Sequence, residues 1–512
     1  MTVPADLILT NAEVHTLTEP DGTAEAVAVR DGRIVRVDSA YEVDFLEGVE
    51  TDVIDCSGRV VLPGFVDAHT HMDAVGRRLV HADLSGAESR DEALDRLRLR
   101  AETTAEGWVQ GYGYDESEWG ETAYLTREEL DSVAGDRPVV AFREDLHSAS
   151  LNSAALDAVV DRMDEEEVHR EDGEPTGVVV EGAVGTVQSE FASDREELRA
   201  LIEAARDRAH ELGITAVHDM VRGTPAPRVY RELDAAGELD LRVRINYWTD
   251  HLDAVAEAGL VPNAGSEFVR TGAIKSFTDG SIGSGTAKLS EPFAGSESRG
   301  TWVVEPTELR EWVDRAGDAG FQFTAHAIGD EAVAETLEAY AGTDDPGAAR
   351  HRVEHAEVLT DELVERFADL GVVASVQPNF LKWAREGGLY ENRLGVERTR
   401  GSNPFASLLD AGVPLAFGSD TMPLGPLFGV EQAVTAPAPE QRIGVTEALR
   451  AYTHGAAYAG FDEDRMGTIE RGKLADLVVL EESPWEVAPE RIGDVDVAMT
   501  VVDGSVVYRR EG

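Results

Sequence analysis

Two histidines separated by one residue close an apolar run in this 512-residue chain, in Asp67-Ala68-His69-Thr70-His71. Alternate residues of a strand face the same way, so both imidazoles can reach one cation. On its own such a pair is weak evidence. Four more groups stand within or at the ends of strand-like runs: Lys275 in Ala273-Ile274-Lys275-Ser276-Phe277, His326 after Thr324-Ala325, His355 after Val353-Glu354, and Asp420 after Gly418-Ser419. Each alone has an ordinary structural reading: a hydrogen-bonded core histidine, a helix N-cap aspartate, a snorkelling lysine. As a set, imidazole and carboxylate donors suit zinc and related divalent ions, and catalytic sites leave a position open for water. A lysine ammonium has no lone pair to offer. Its neutral amine, however, can add carbon dioxide to give a carbamate, a carboxylate on a long arm that can bridge two ions. Lysine is scarce here, with Lys275, Lys288, Lys382 and Lys473 standing against 42 arginines, so one kept among metal-type ligands calls for a reason.

Side chains so far apart in sequence need a frame that gathers them. The middle of the chain alternates strand-like and helical runs, the pattern of a parallel α/β fold. Eight strands are predicted, at 64–68, 215–218, 241–247, 273–277, 322–325, 352–354, 372–376 and 415–418. Helices are predicted between most of them, for example over 197–212, 307–319 and 330–341. Eight such units predict a (β/α)₈ barrel, which keeps its chemistry at the strand ends. The candidate ligands fall at those ends, with Asp420 expected opposite the first-strand histidines. About 145 residues separate the first two strands, too many for one helix, so an insertion is expected at about 78–195 with a strand-like run at 139–143. Asp31-Gly32 and Asp503-Gly504 each sit between short apolar runs, a strong hairpin signal near both termini. Residues 1–61 and 467–512 are therefore expected to build one small β-sandwich domain, with the barrel over 62–466.

Lys+Arg number 46 and Asp+Glu 99, a net charge of −53. Such a surface repels nucleic acid and anionic membrane, which excludes both as partners. The acids are scattered along the chain, which favours a halophilic, salt-adapted surface over a dedicated cation store. Cys56 is the single cysteine, so neither an intramolecular disulfide nor a thiolate cluster is available. The first residues carry no basic or long apolar leader, and no run reaches the roughly 20 apolar residues that span a bilayer. A cytoplasmic protein is expected, and the sequence leaves assembly into a homo-oligomer open. The charge makes a prediction of its own. Self-repulsion weakens as the Debye length shrinks to about 3 Å at 1 M salt, so the melting point followed by circular dichroism should climb from low to molar KCl. An unchanged melting point would contradict the salt-adapted reading.

The run Val61-Leu62-Pro63-Gly64-Phe65-Val66-Asp67-Ala68-His69-Thr70-His71 resembles the first metal motif of the amidohydrolase superfamily. The likeness continues through Lys275–Ser281, Ala325-His326-Ala327, Val353-Glu354-His355-Ala356, Phe417-Gly418-Ser419-Asp420 and Gly472–Leu480. Gly111–Asp115, His147-Ser148, Leu151-Asn152-Ser153 and Gly280–Ala287 resemble the amidohydrolase 3 branch, which includes N-substituted formamide deformylases. The resemblance implies that His69, His71 and Asp420 hold one metal ion, His326 and His355 a second, and carbamylated Lys275 bridges them, with one or two zinc ions in all. It also implies that metal-activated hydroxide attacks the carbonyl of a small-molecule amide, with Asp420 as general base and then acid.

Three substrate-binding candidates carry a weaker signal. His218 ends the second strand and divides between substrate contact and packing. His147 and Tyr114 belong to the branch-like motifs of the insertion. Tyr114 is one of a group with Trp108, Tyr112, Trp119 and Tyr124, which reads either as a pocket wall or as a local core. Gly280–Lys288 has the wrong order for a phosphate loop, and neither G-x-S-x-G nor H-E-x-x-H occurs. The rival readings are a cyclic-amide hydrolase or deaminase on the same metals, and an inactive barrel serving as a scaffold. The scaffold reading expects lost ligands, and none of the six is lost.

Overall fold

The computed structural model describes residues 3–104, 107–120, 123–190 and 195–510. The remaining residues of the expected terminal domain (1–2 and 511–512) and insertion (105–106, 121–122 and 191–194) lie outside the described residues. The chain divides into two compact units. One comprises Met1–His71, Arg206–Gly223 and Pro227–Gly512, and the other Met72–Ala205 with Thr224–Ala226.

Eight parallel strands in sequential order form the centre of the first unit. They are β1 (Phe65–Thr70), β2 (Ile214–Val221), β3 (Arg242–Trp248), β4 (Val269–Phe277), β5 (Phe323–Ala327), β6 (Arg352–His355), β7 (Val373–Val376) and β8 (Leu415–Phe417). This is the (β/α)₈ barrel the strand pattern predicts. The seam between β8 and β1 closes through Asp420 N–H donating to His69 O at 2.8 Å and Ser419 N–H donating to the Asp67 carboxylate at 3.0 Å. Gly418 permits it, since a Cβ there would lie 2.4 Å from His69 N. Strands buried on both faces are near-continuous apolar runs, and the helices outside obey local rules. Asp361–Leu370 is one: Thr360 caps Leu363 N–H, Asp361 and Glu362 meet the positive end of the dipole, Val364 and Phe367 face inward, and Gly371 ends the helix at φ +62°.

Both termini contribute to a six-stranded sheet in which Leu477–Leu480 pairs antiparallel with Val60–Pro63. A four-stranded sheet from residues 7–55 shares its core through Leu7, Leu9, Val27 and Val29 against Val61, Leu477, Val479 and Val501. Asp31-Gly32 and Asp503-Gly504 turn with positive φ at all four residues, the hairpin geometry that requires such pairs. The bidentate Arg242–Asp476 pair, at 2.6 and 2.9 Å, ties barrel to terminal sheets.

The second unit is a six-stranded mixed sheet that includes the predicted run Val139–Arg143. It begins at Met72 because the helix Met72–Val80 buries Met72 and Val75, and Gly76 meets the Leu201 backbone of the same unit. Among the described residues no helix is long and apolar enough to cross a membrane.

Candidate metal centre

His69 comes from β1, and His71 stands just past its end. His71 Nδ1 lies 3.1 Å from the Met220 carbonyl. A carbonyl only accepts, so Nδ1 carries the proton and Nε2 is left with a bare lone pair. His69 Nδ1 lies 2.6 Å from the Glu354 carboxylate. Burial works to raise the Glu354 carboxyl, yet Arg352, His69 and Lys275 outweigh it and hold it well below the usual carboxylate range. Glu354 is therefore an acceptor, His69 Nδ1 donates, and its Nε2 is bare as well. Asp420 Oδ1 lies 3.3 Å from His71 Nε2 and 3.7 Å from His69 Nε2.

Two lone pairs and a carboxylate oxygen thus converge, an arrangement that suits a cation. Among the described residues, these three side chains are the histidine, cysteine and acidic group close enough to share one ion. The donor set fits zinc and its neighbours. Burial and the Lys275 charge keep the His69 imidazole below its ordinary range and so neutral, as a ligand must be. Burial alone would raise Asp420, but His69, His71 and Lys275 hold it down to about 2, so it is ionised at neutral pH.

The other three expected ligands lie alongside. The His355 ring is 5.0 Å from that of His69 and 4.5 Å from that of His326. His355 Nδ1 is buried without a hydrogen-bond partner, and burial with the His326, His69 and Lys275 charges keeps the ring neutral. His326 Nε2 lies 3.0 Å from the Gly280 carbonyl, which by the same logic leaves its Nδ1 as the ligating atom. Lys275 is 1% exposed and its amine has no partner. Burial brings it down to about 8, with Arg352 adding to the shift and Glu354 and Asp420 opposing it. An amine near that value is partly neutral at physiological pH, the form that adds carbon dioxide.

Backbone strain marks the same positions. His355 has φ +73° and Asp420 φ +49°, left-handed values that cost a non-glycine residue about 1–3 kcal/mol and cluster at functional sites. At His355 the strain has a visible use. Arg352 and Glu354 alternate onto the barrel interior, which by parity turns residue 355 outward, and the left-handed turn brings its ring back to the histidines.

Asp420 does not stand opposite the first-strand histidines, as expected from the sequence. Strand β8 neighbours β1 in a closed eight-stranded barrel, so Asp420 is beside them. The three substrate-binding candidates each have a local partner. Tyr114 is fully buried, its hydroxyl 3.1 Å from Ser150 Oγ, and it stacks on Trp119 in a core of the second unit. His147 pairs with Glu181 at 3.0 Å in that unit. His218 is buried, with Nδ1 3.0 Å from an Arg352 guanidinium nitrogen.

Two positioning residues were not singled out in the sequence. Glu354 orients His69 and is held by Thr324 and by Arg352, the latter at 2.8 Å. Asp67 accepts from His69 N and Ser419 N and locks β1 to β8. The signal was there in Arg352-Val353-Glu354: opposite charges on one face of a strand with apolar neighbours must pair. Partners that orient a ligating histidine are worth about 10–100-fold in metal affinity. Glu354→Gln should weaken metal binding by that factor in a chelator competition, in a protein still folded by circular dichroism. Unchanged affinity would make Glu354 a packing residue only.

Barrel and ligand set define a metal-dependent hydrolase. The amidohydrolase family model matches residues 52–508. The chain is 30% identical to N-substituted formamide deformylase of Arthrobacter pascens, over 100% of both sequences. It is 31% identical to Protein LONG AFTER FAR-RED 3 of Arabidopsis thaliana, over 99% of this chain and 92% of the relative. A crystal structure of an uncharacterized metal-dependent hydrolase from Pyrococcus furiosus superposes with a TM-score of 0.78 at 29% identity, over 94% of this chain and all of the other. The chain belongs to the amidohydrolase family. It is an enzyme that hydrolyses carbon–nitrogen bonds other than peptide bonds.

Proposed function

We propose that the protein hydrolyses the amide bond of a small molecule, with N-substituted formamides as the first class to test. The observation that carries the reading is the convergence of His69 Nε2, His71 Nε2 and Asp420 Oδ1. These three would hold one divalent ion, zinc by donor type, and His326 and His355 a second, with Lys275 between them as a carbamate. Such ions, when bound, polarise a carbonyl and make water acidic enough to attack near neutral pH.

The protein's own groups do the rest. Asp420 commits one oxygen toward the imidazoles and keeps the other to take a proton from the attacking water. It then returns that proton to the leaving nitrogen as the carbon–nitrogen bond breaks, giving a carboxylic acid and an amine. Glu354 fixes the tautomer of His69, and the Met220 carbonyl that of His71. Trp248 and Phe277, with ring centres 5.9 Å from the Lys275 amine, and Phe380, stacked on His355 at 5.9 Å, form apolar walls that limit bulk water. A panel of N-substituted formamides, longer amides and cyclic amides, offered to zinc-loaded protein, tests the reading. Equal amounts of formate and amine should be released from at least one formamide. Ring opening of cyclic amides alone would favour the cyclic-amide alternative.

A further inference from the structure

Gln377, just past the end of β7, is 1% exposed, and its Oε1 is buried without a hydrogen-bond partner in the protein. Its Nε2 lies 3.5 Å from the Ser375 carbonyl, a long contact. Turning the amide over would set oxygen against oxygen, so Oε1 is the bare atom. A buried amide used so little adds nothing to the fold, where an apolar side chain of the same shape would serve as well.

The backbone shows where that oxygen is carried. Ser375 Oγ accepts from Arg352 at 2.8 Å, and Arg352 also reaches His218 of β2 and the Ala68 carbonyl of β1, so Ser375 faces the barrel interior. Gln377 is still extended, at φ −118° and ψ 94°. Alternation therefore turns it to the same interior, about 7 Å nearer the C-terminal mouth. Ser375 pairs with Glu354 on β6 and with Ala416 on β8, and Gly418 N–H donates to Val376 O at 3.1 Å. Gln377 thus comes level with Gly418, two residues before Asp420. Its own carbonyl accepts from Phe380 N–H at 3.1 Å, closing the turn that stacks Phe380 on His355. The bare oxygen belongs to the ligand end of the barrel, beside an apolar wall.

Resting on the amide-hydrolase reading, we infer that Gln377 is a specificity-determining residue whose Oε1 accepts the N–H of the scissile amide. The carbonyl oxygen of the substrate turns to the metal ligands, and the proton of the attacking water goes to Asp420. The N–H is then the polar group of the reacting bond that still needs an acceptor. Holding it fixes the orientation of the nitrogen that receives the proton back from Asp420. The preferred substrates are secondary amides, over tertiary amides and esters that lack this donor.

Pairs of amides that differ by one N-methyl group test the inference, with zinc-loaded wild-type protein and Gln377→Met, an unbranched side chain of similar length without the oxygen. The wild type should prefer the N–H amide. Gln377→Met should lower that preference in kcat/KM about 10–100-fold, the usual cost of a hydrogen bond lost at a buried polar group, through loss on the N–H amide. Without substrate the variant should melt no lower than the wild type, because nothing in the protein bonds to the oxygen it removes. Equal losses on both amides with a lower melting point would make Gln377 a structural residue and overturn the assignment. A gain on the N-methyl amide with the N–H amide unchanged, which is relief of crowding alone, would overturn it too. An unmoved preference in an enzyme that cleaves both amides overturns this inference alone, whereas a wild-type enzyme that cleaves no amide overturns the hydrolase reading with it.

Discussion

Asp420→Asn, compared with the parent at equal metal occupancy, should turn over about 10²–10⁴-fold more slowly, the usual cost of losing a general base. Asparagine keeps the shape and one oxygen toward the imidazoles, so the comparison isolates the proton acceptor. Neither Glu354 nor Asp67 stands ready to replace it. Glu354 is bound by His69, Thr324 and Arg352, and the Asp67 oxygen that bonds serves two backbone N–H groups. Burial further pushes Asp67 up to about 7, against the hydrogen bonds from Ser419 and His69 that favour its ionised form. Any metal lost from the variant would add to the defect, so occupancy must be measured in both proteins. A fully loaded Asp420→Asn enzyme within a few-fold of the parent would make Asp420 a ligand only. His218 could not then take over as base without breaking its bond to Arg352.

Lys275→Ala should lose bound metal and with it activity, to the limit of detection. A buried amine without a partner contributes nothing to stability, and burial disfavours its charged form. The carbamate reading gives that amine a use, since the modified side chain is an anion among neutral imidazoles. It also makes rescue possible: a small carboxylate such as acetate should restore part of the metal content and activity of Lys275→Ala. A variant that keeps its full metal complement would show that Lys275 merely fills space beside Trp248 and Phe277.

The barrel was legible because most of its strands are short apolar-rich runs, and the helices between them carry ordinary caps and amphipathic faces. Every ligand candidate fell at a strand end for the same reason. Parity did not give the direction of His355, because its left-handed φ is a property of the turn beyond the strand. The neighbourhood of Asp420 needed barrel closure, which makes the first and last strands adjacent. Strand alternation marks Glu354 and Arg352 as an interior pair but does not say that Glu354 also meets His69. Tyr114 shows a different ambiguity. A cluster of aromatics within 20 residues is equally what a pocket wall and a small core require, and in an insertion that must bury its own sheet the core takes them. The −53 charge is silent about the site.

The central claim is that His69, His71 and Asp420 hold a catalytic divalent ion. Diffraction from crystals of active enzyme, recorded on both sides of the zinc absorption edge, tests it most directly. The account predicts an anomalous peak within bonding distance of His69 Nε2, His71 Nε2 and an Asp420 oxygen, with extra density on Lys275 reaching toward it. An active crystal with no anomalous scatterer on those three side chains, at that edge or the edge of any other bound metal, would contradict it.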